Sequence, residues 1–385
     1  MLDKISVLII DDSATMRRLI TKMLSLHPTI EVVGTAMNGR FGLDKMELLK
    51  PKLIILDLEM PQMNGIEFLK EKRNRQNNTP VIVLSAIATK GAKITMEALS
   101  LGASDFILKP SGDSENMNMV QKNLIEMILS FFQDTPAFMP APKIDVPKIN
   151  KETTSVVEDS SKNTDNIIRT FPKTGTEDPE EFLQPIPRIP AIKILVIGIS
   201  TGGPNALRDI LPKFPENFPI PIVIVQHMPA GFTKEFADSL NKICPLQVKE
   251  AADNDLVKPG RILIAQGGKH LKFEKKSLST VVRIVDGEPV SDHKPSVDVM
   301  FESAAEIYGS NCLACIMTGM GRDGAENIGK IMNRGGITMG QDKKSSIVYG
   351  MPHVALKLKH LQIVRPLDRI AETAISIVTK RIVIE

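Results

Sequence analysis

Cysteine is scarce, with three in 385 residues, so a disulfide framework is excluded. Cys312 and Cys315 have the Cys-x-x-Cys spacing of redox or metal sites. Both lie in an apolar run without a second pair, and so read as small core residues. Charge of one sign is also lacking. The formal net charge is +3 and no basic cluster stands out, so neither nucleic acid nor a membrane surface is indicated as a partner. No apolar run reaches the ~18 residues of a membrane span. An acid at Asp3 and an apolar run of only about six residues argue against a signal peptide. No internal repeat is visible. The expected setting is the cytoplasm.

What is present is strand–helix alternation, twice. In residues 1–132, short apolar runs at Ile5–Ile10, Glu31–Thr35, Leu53–Asp57, Val81–Ser85 and Phe106–Lys109 are separated by helical patterns. Ser13 is placed to cap the first helix, whose Met16 and Met23 fall on an apolar face. Nineteen methionines are many, and core packing is their expected role. Residues 133–190 are rich in proline and polar side chains, the composition of a flexible tether, with Phe138, Phe171 and Phe182 scattered along it. From 191 to 385 the alternation resumes, with strands expected at 194–200, 221–227, 246–250, 261–266, 270–275, 281–285, 312–318 and 336–340. Helices are expected at 203–213, 232–242, 297–308, 323–334 and 366–380. The predicted fold is two doubly wound α/β domains: a flavodoxin-like one with a five-stranded parallel sheet, then a mostly parallel one with a β-hairpin inserted between 261 and 285.

In the first domain polar residues collect at strand ends: Asp11 and Asp12 after the first, then Asp57, Ser85 and Lys109. In a parallel sheet these ends share one edge, and clustered carboxylates repel unless a cation sits among them. Oxygen ligands suit Mg²⁺, and a lysine and a hydroxyl beside it suit a bound phosphoryl group. Asp11-Asp12, Asp57-Leu-Glu-Met-Pro-Gln-Met-Asn-Gly65, Ser85-Ala86 and Lys109-Pro110 together closely resemble the receiver domain of response regulators. The resemblance implies that Asp57 accepts phosphate from a histidine kinase. Asp12, Asp57 and the backbone carbonyl of Glu59 would hold Mg²⁺, with Asp11 assisting through water. Ser85 and Phe106 would be switch residues alongside Lys109, and Lys109–Pro110 would be the family's cis peptide.

In the second domain Gly198-Ile-Ser-Thr-Gly202 fits G-x-S-x-G, a pattern that exposes a nucleophilic serine. Taken alone, that junction suits phosphate binding at a helix N-terminus equally well. His227 shifts the balance, because a second apolar strand ends on the side chain that commonly activates serine. Asp323, in the loop after the run from Cys312, supplies a third member that would orient the histidine. The chain order Ser, His, Asp differs from that of α/β-hydrolases, chymotrypsin and subtilisin.

That order, with Gly198-Ile-Ser-Thr-Gly-Gly-Pro204, Gln226-His-Met-Pro-Ala-Gly-Phe232, Lys294-Pro-Ser-Val-Asp-Val-Met-Phe301, Thr318-Gly-Met-Gly-Arg-Asp-Gly324 and Gly350-Met-Pro352, resembles the CheB family of chemotaxis methylesterases. The resemblance implies hydrolysis of glutamate γ-methyl esters, and deamidation of particular glutamines, on methyl-accepting chemotaxis receptors at the membrane. Ser200 would be nucleophile, His227 base then acid, and Asp323 the orienting carboxylate. Met320 would supply an oxyanion-hole amide, with Thr201 and His270 beside the serine and no metal required. Arg322 departs from the asparagine expected there. The unphosphorylated receiver would cover the crevice, and phosphorylation of Asp57 would uncover it. A transcription factor would need a basic recognition helix in the second half, which this glycine-punctuated α/β pattern does not offer. A non-catalytic signalling module with a phosphate- or nucleotide-binding domain is the alternative reading.

Overall fold

The computed structural model describes residues 4–86, 89–110, 114–132, 183–186 and 189–379. In the first part β1 (Ile5–Ile10), α1 (Ala14–Ser25), β2 (Ile30–Ala36), α2 (Gly39–Leu49), β3 (Leu53–Asp57), α3 (Gly65–Asn74), β4 (Val81–Ser85), α4 (Thr89–Ser100), β5 (Asp105–Leu108) and α5 (Ser114–Ser130) alternate. The sheet is parallel throughout in the order β2-β1-β3-β4-β5. Its central strands are unbroken apolar runs because both faces are covered: Leu8 and Ile10 enter one core, Val7 and Ile9 the other. Ser13 caps α1 by accepting the Met16 N–H.

The second part runs β6 (Ile194–Ile199), α6 (Gly203–Ile210), β7 (Ile222–Gln226), α7 (Phe232–Asn241), β8 (Gln247–Glu250), β9 (Arg261–Ile264), β10 (His270–Lys275), β11 (Thr280–Val285), α8 (Val297–Tyr308), β12 (Cys312–Ile316), α9 (Asn327–Asn333), β13 (Ile337–Gln341), α10 (Met351–Lys357), β14 (Ile363–Arg365) and α11 (Leu367–Thr379). Seven strands form one sheet, β14-β13-β12-β6-β7-β9-β8, with every pair parallel. The expected hairpin is present but outside that sheet: β10 pairs with β11, Val281 of β11 also bridges Leu256, and the hairpin packs over α8, where the Phe273 N–H reaches Ser303 Oγ at 3.0 Å. Short β14 and α10 have no counterpart in the sequence reading. The helix expected from 323 begins only at Asn327, after Gly324 at φ +84°. Cys312 and Cys315, three apart on a strand, point to opposite faces and enter different cores, so they form no pair site. The cis X–Pro bond among the described residues is Lys294–Pro295, not the expected Lys109–Pro110.

Most of the expected tether, with Phe138, Phe171 and Phe182, lies outside the described residues. Its end is held to the second sheet's domain: the Gln184 N–H donates to Leu361 O at 2.9 Å, and Ile186 and Ile189 pack on the core. The two domains also meet directly. The Phe106 ring stacks on Phe232 with centroids 4.9 Å apart. Asn205 Nδ2 donates to Ala103 O at 2.8 Å, and one apolar cluster runs through both domains. Thus β5 and α4 lie against α6 and α7, the helices that follow Ser200 and His227. No helix among the described residues is long and apolar enough to cross a membrane.

Candidate active site and receiver pocket

In the seven-stranded sheet the chain runs from β6 outward through β7, then crosses to build β12, β13 and β14 on the other side. Crevices form at such reversals, beyond the carboxyl ends of the strands. Ser200 follows β6, His227 follows β7, and the loop holding Asp323 follows β12, so all three sit at this edge. Gly202 at φ +76° lets the chain turn sharply from β6 into α6. The Ser200 N–H donates across the reversal to Thr318 O at 3.0 Å.

The three side chains form a continuous array. Ser200 Oγ is 3.0 Å from His227 Nδ1, and His227 Nε2 is 2.7 Å from Asp323 Oδ2. With Nδ1 bare to accept the serine proton, Nε2 carries the N–H that donates to Asp323. The imidazole therefore presents Nδ1 to the serine, the reverse of the chymotrypsin arrangement. Asp323 is fully enclosed and accepts from Ser296 Oγ at 2.8 Å and from the N–H groups of Val297 and Asp298 at 2.6 and 3.0 Å. It thereby serves the N-terminus of α8 rather than capping its own helix. Burial pushes the carboxyl up, but His227 and the Val297 and Asp298 amides outweigh it and hold Asp323 below the usual range.

The remaining expected residues fall at different distances. A Cβ on Gly319 would stand 2.7 Å from Ser200 Cβ, so the main chain entering Met320 runs alongside the serine. Thr201 is buried, its carbonyl accepting from Thr318 Oγ1 at 2.9 Å. His270 is one step removed: its Nδ1 accepts the Ser296 N–H at 3.2 Å, and its Nε2 is 3.0 Å from Glu288 O. It is linked to Asp323 through Ser296. Arg322 is exposed and paired with Glu326.

Sequence reasoning missed three residues here. His293 stacks on His227 with centroids 3.7 Å apart, its pKa lowered by burial and by the neighbouring His227. Ser296 caps α8 and donates to Asp323. Burial pushes Asp298 up to about 6, with the charge of Asp323 adding to it. The quoted stretch 294–301 carried two of these, but a motif match gives no roles.

At the edge of the first sheet, Lys109 Nζ bridges Asp57 Oδ2 at 2.8 Å and Asp11 Oδ2 at 3.2 Å. Burial and the charge of Asp11 raise the Asp57 pKa against the pull of Lys109 and the Glu59 amide. Ligand atoms of Asp11, Asp12 and Asp57 lie within 4.8 Å of one another, and buried Asp11 Oδ2 has no hydrogen-bond partner beyond that ammonium contact. Such a hard-oxygen set with an under-satisfied buried carboxylate fits Mg²⁺. Ser85 lines the same cavity, but its hydroxyl is 2.7 Å from Thr95 Oγ1 on α4. Phe106 faces away from the acids, onto Phe232.

These features define a class: a two-domain α/β protein that carries a receiver-type acidic pocket and a Ser–His–Asp array on one chain. Residues 7–121 match the response regulator receiver domain, and 195–374 match CheB methylesterase. A protein-glutamate methylesterase/protein-glutamine glutaminase of Treponema denticola is 51% identical, covering 93% of this chain and 94% of its own. The enzyme of the same name from Treponema pallidum is 43% identical, with 92% of each chain covered. The CheB methylesterase catalytic domain of Thermotoga maritima is 42% identical, covers 48% of this chain and 98% of its own, and has a TM-score of 0.47. The chain belongs to the CheB methylesterase family, a family of hydrolases joined to receivers.

Proposed function

We propose that this protein removes methyl groups from glutamate side chains of methyl-accepting chemotaxis receptors, and deamidates particular receptor glutamines, under control of phosphorylation at Asp57. Residues 1–132 are the receiver, 133–190 the linker and 191–385 the catalytic domain. The observation that carries the reading is the relay of 3.0 and 2.7 Å from Ser200 through His227 to Asp323.

Ser200 Oγ attacks the ester carbonyl while His227 Nδ1 takes its proton, and Asp323 stabilises the resulting imidazolium. The Met320 N–H aims at the developing oxyanion, where a single donor contributes about 3–4 kcal/mol. His227 then protonates the departing methoxide, which leaves as methanol. Water, deprotonated by His227, cleaves the acyl-serine to free glutamate. For glutamine the leaving group is ammonia. Thr201 and His270 support the array from outside.

In the receiver, Asp12, Asp57 and the Glu59 carbonyl would hold Mg²⁺, with Asp11 assisting through water, and the ion when bound would offset phosphoryl charge. A chemotaxis histidine kinase donates to Asp57. Lys109 neutralises the new anion, Ser85 turns from Thr95 toward it, and Phe106 leaves Phe232, so that the receiver uncovers Ser200. The protein works at cytoplasmic receptor arrays without entering the membrane or binding nucleic acid. Methanol release from methylated receptor membranes tests this, with and without a small phosphodonor. Activity surviving Ser200→Ala would sink the mechanism, and full donor activation of Asp57→Asn would sink the gating site.

A further inference from the structure

Gln226 is the last residue of β7, next to His227, and is 2% exposed. Its Nε2 donates to two main-chain carbonyls, Ser200 O and His227 O, each at 3.0 Å. Because both partners are acceptors, the amide can face them only with its nitrogen. Oε1 is thereby turned the other way, where it is buried and has no hydrogen-bond partner. It rests on the first residue of α6: a Cβ on Gly203 would stand 2.0 Å from it. An unpaired buried acceptor is destabilising and offsets part of what the two donated bonds contribute. That net contribution to stability does not by itself account for a glutamine here.

Its position does. The ladder between β6 and β7 closes with the His227 N–H to Ile199 O at 3.1 Å. Beyond that bond the chains part, one into the turn to α6 and the other toward α7. Ser200 and the side chain and carbonyl of His227 lie past it, and the reacting atoms must stay at 3.0 Å. We propose that Gln226 is a positioning residue for the hydrolysis: its amide ties the carbonyls of nucleophile and base together and sets the Ser200–His227 spacing. This rests on the reading of Ser200 as nucleophile and His227 as base. Gly203 belongs to the same device, since its lack of a side chain leaves room for the glutamine.

The test uses the full chain with a small phosphodonor, methylated receptor membranes as substrate and a fluorophosphonate as serine probe. Gln226→Met keeps length and removes both polar groups. Its kcat should fall ~10–100-fold with KM within two-fold, the signature of misplaced reacting groups. The rate of Ser200 labelling should fall by the same factor, with the unfolding temperature within a few degrees of wild type. Wild-type kcat and labelling rate in folded Gln226→Met overturn the proposal. If Gln226→Met does not fold, Gly203→Ala decides, since its methyl displaces Oε1 while keeping the amide. The same loss of kcat and labelling supports the tie, and wild-type rates overturn it. Label retained by Ser200→Ala would overturn the nucleophile reading itself. Label lost there, with full rates in Gln226→Met, overturns only the role of Gln226.

Discussion

Asp105 Oδ2 accepts the Gly202 N–H at 3.0 Å, so a receiver carboxylate closes the turn two residues past Ser200. The adjacent residue, Phe106, is the one that stacks on Phe232. Phe106, the proposed switch residue, and the turn after Ser200, the proposed nucleophile, are thus joined through neighbouring residues of one strand. Removing the carboxylate leaves the buried Gly202 amide without its acceptor, which costs about 1–3 kcal/mol. Asp105→Ala should raise methanol release by the unphosphorylated protein several-fold and leave the phosphodonor-activated rate near wild type. An unchanged basal rate would show that this contact does not hold the domains together.

Asp105 should also give docking a pH dependence. Burial pushes its carboxyl up to about 6, against the pull of the Phe106 and Gly202 amides. The docked state therefore binds more protons than an undocked one with an ordinary carboxyl, and falling pH favours docking. Between pH 7 and 5 the ratio of basal to donor-activated activity should decline in wild type. Asp105→Asn keeps an acceptor without a charge, so its ratio should be low already at pH 7 and flat. A ratio that declines equally in both proteins would count against Asp105 as the titrating group.

The strand ends were legible in the sequence because each is an apolar run stopped by a polar residue: Asp57 after Leu53, Ser200 after Ile194, His227 after Ile222. Asp105 was not, because its partner Gly202 lies 97 residues away and no local period encodes that contact. His293 and Ser296 were missed for a related reason. They sit in a loop whose residues have no apolar rhythm, and they meet His227 and Asp323 only when β7, α8 and β12 are assembled. Hairpin β10–β11 shows the converse: its residues were foreseen, but its place apart from the seven-stranded sheet depends on packing against α8.

Metal should stabilise the receiver measurably. Mg²⁺ at ten times its dissociation constant adds about 1.4 kcal/mol to a site that binds only when folded. Thermal unfolding of the full chain should shift upward from EDTA to Mg²⁺, and the shift should shrink in Asp57→Asn. In EDTA the order reverses. Burial and Asp11 raise the Asp57 pKa in the fold, so its ionised form is destabilising above the ordinary carboxyl range. Asp57→Asn should then unfold at a higher temperature than wild type without metal. No difference in EDTA would refute the strained-carboxylate account.

Ser296 separates support of the array from membership in it. Its hydroxyl accepts the Val299 N–H at 3.4 Å as the α8 cap and donates to Asp323 Oδ1 at 2.8 Å. Ser296→Ala loses both, at a cost of about 2–3 kcal/mol from the cap and the charge-assisted bond together. The urea midpoint should fall accordingly. Asp323 keeps His227 and two amides, so kcat should drop only about ten-fold with KM unchanged. The loss also has a pH signature. Asp323 is held below the usual range, so its contribution to stability is present above the ordinary carboxyl pKa and disappears as pH falls through the lowered value. Without the Ser296 donor that lowered value rises, and acid unfolding of the catalytic domain should begin at higher pH than in wild type. If Ser296→Ala lost stability but kept both wild-type kcat and the wild-type acid midpoint, the hydroxyl would be a helix cap alone, and Asp323 would be fixed by the Val297 and Asp298 amides without it.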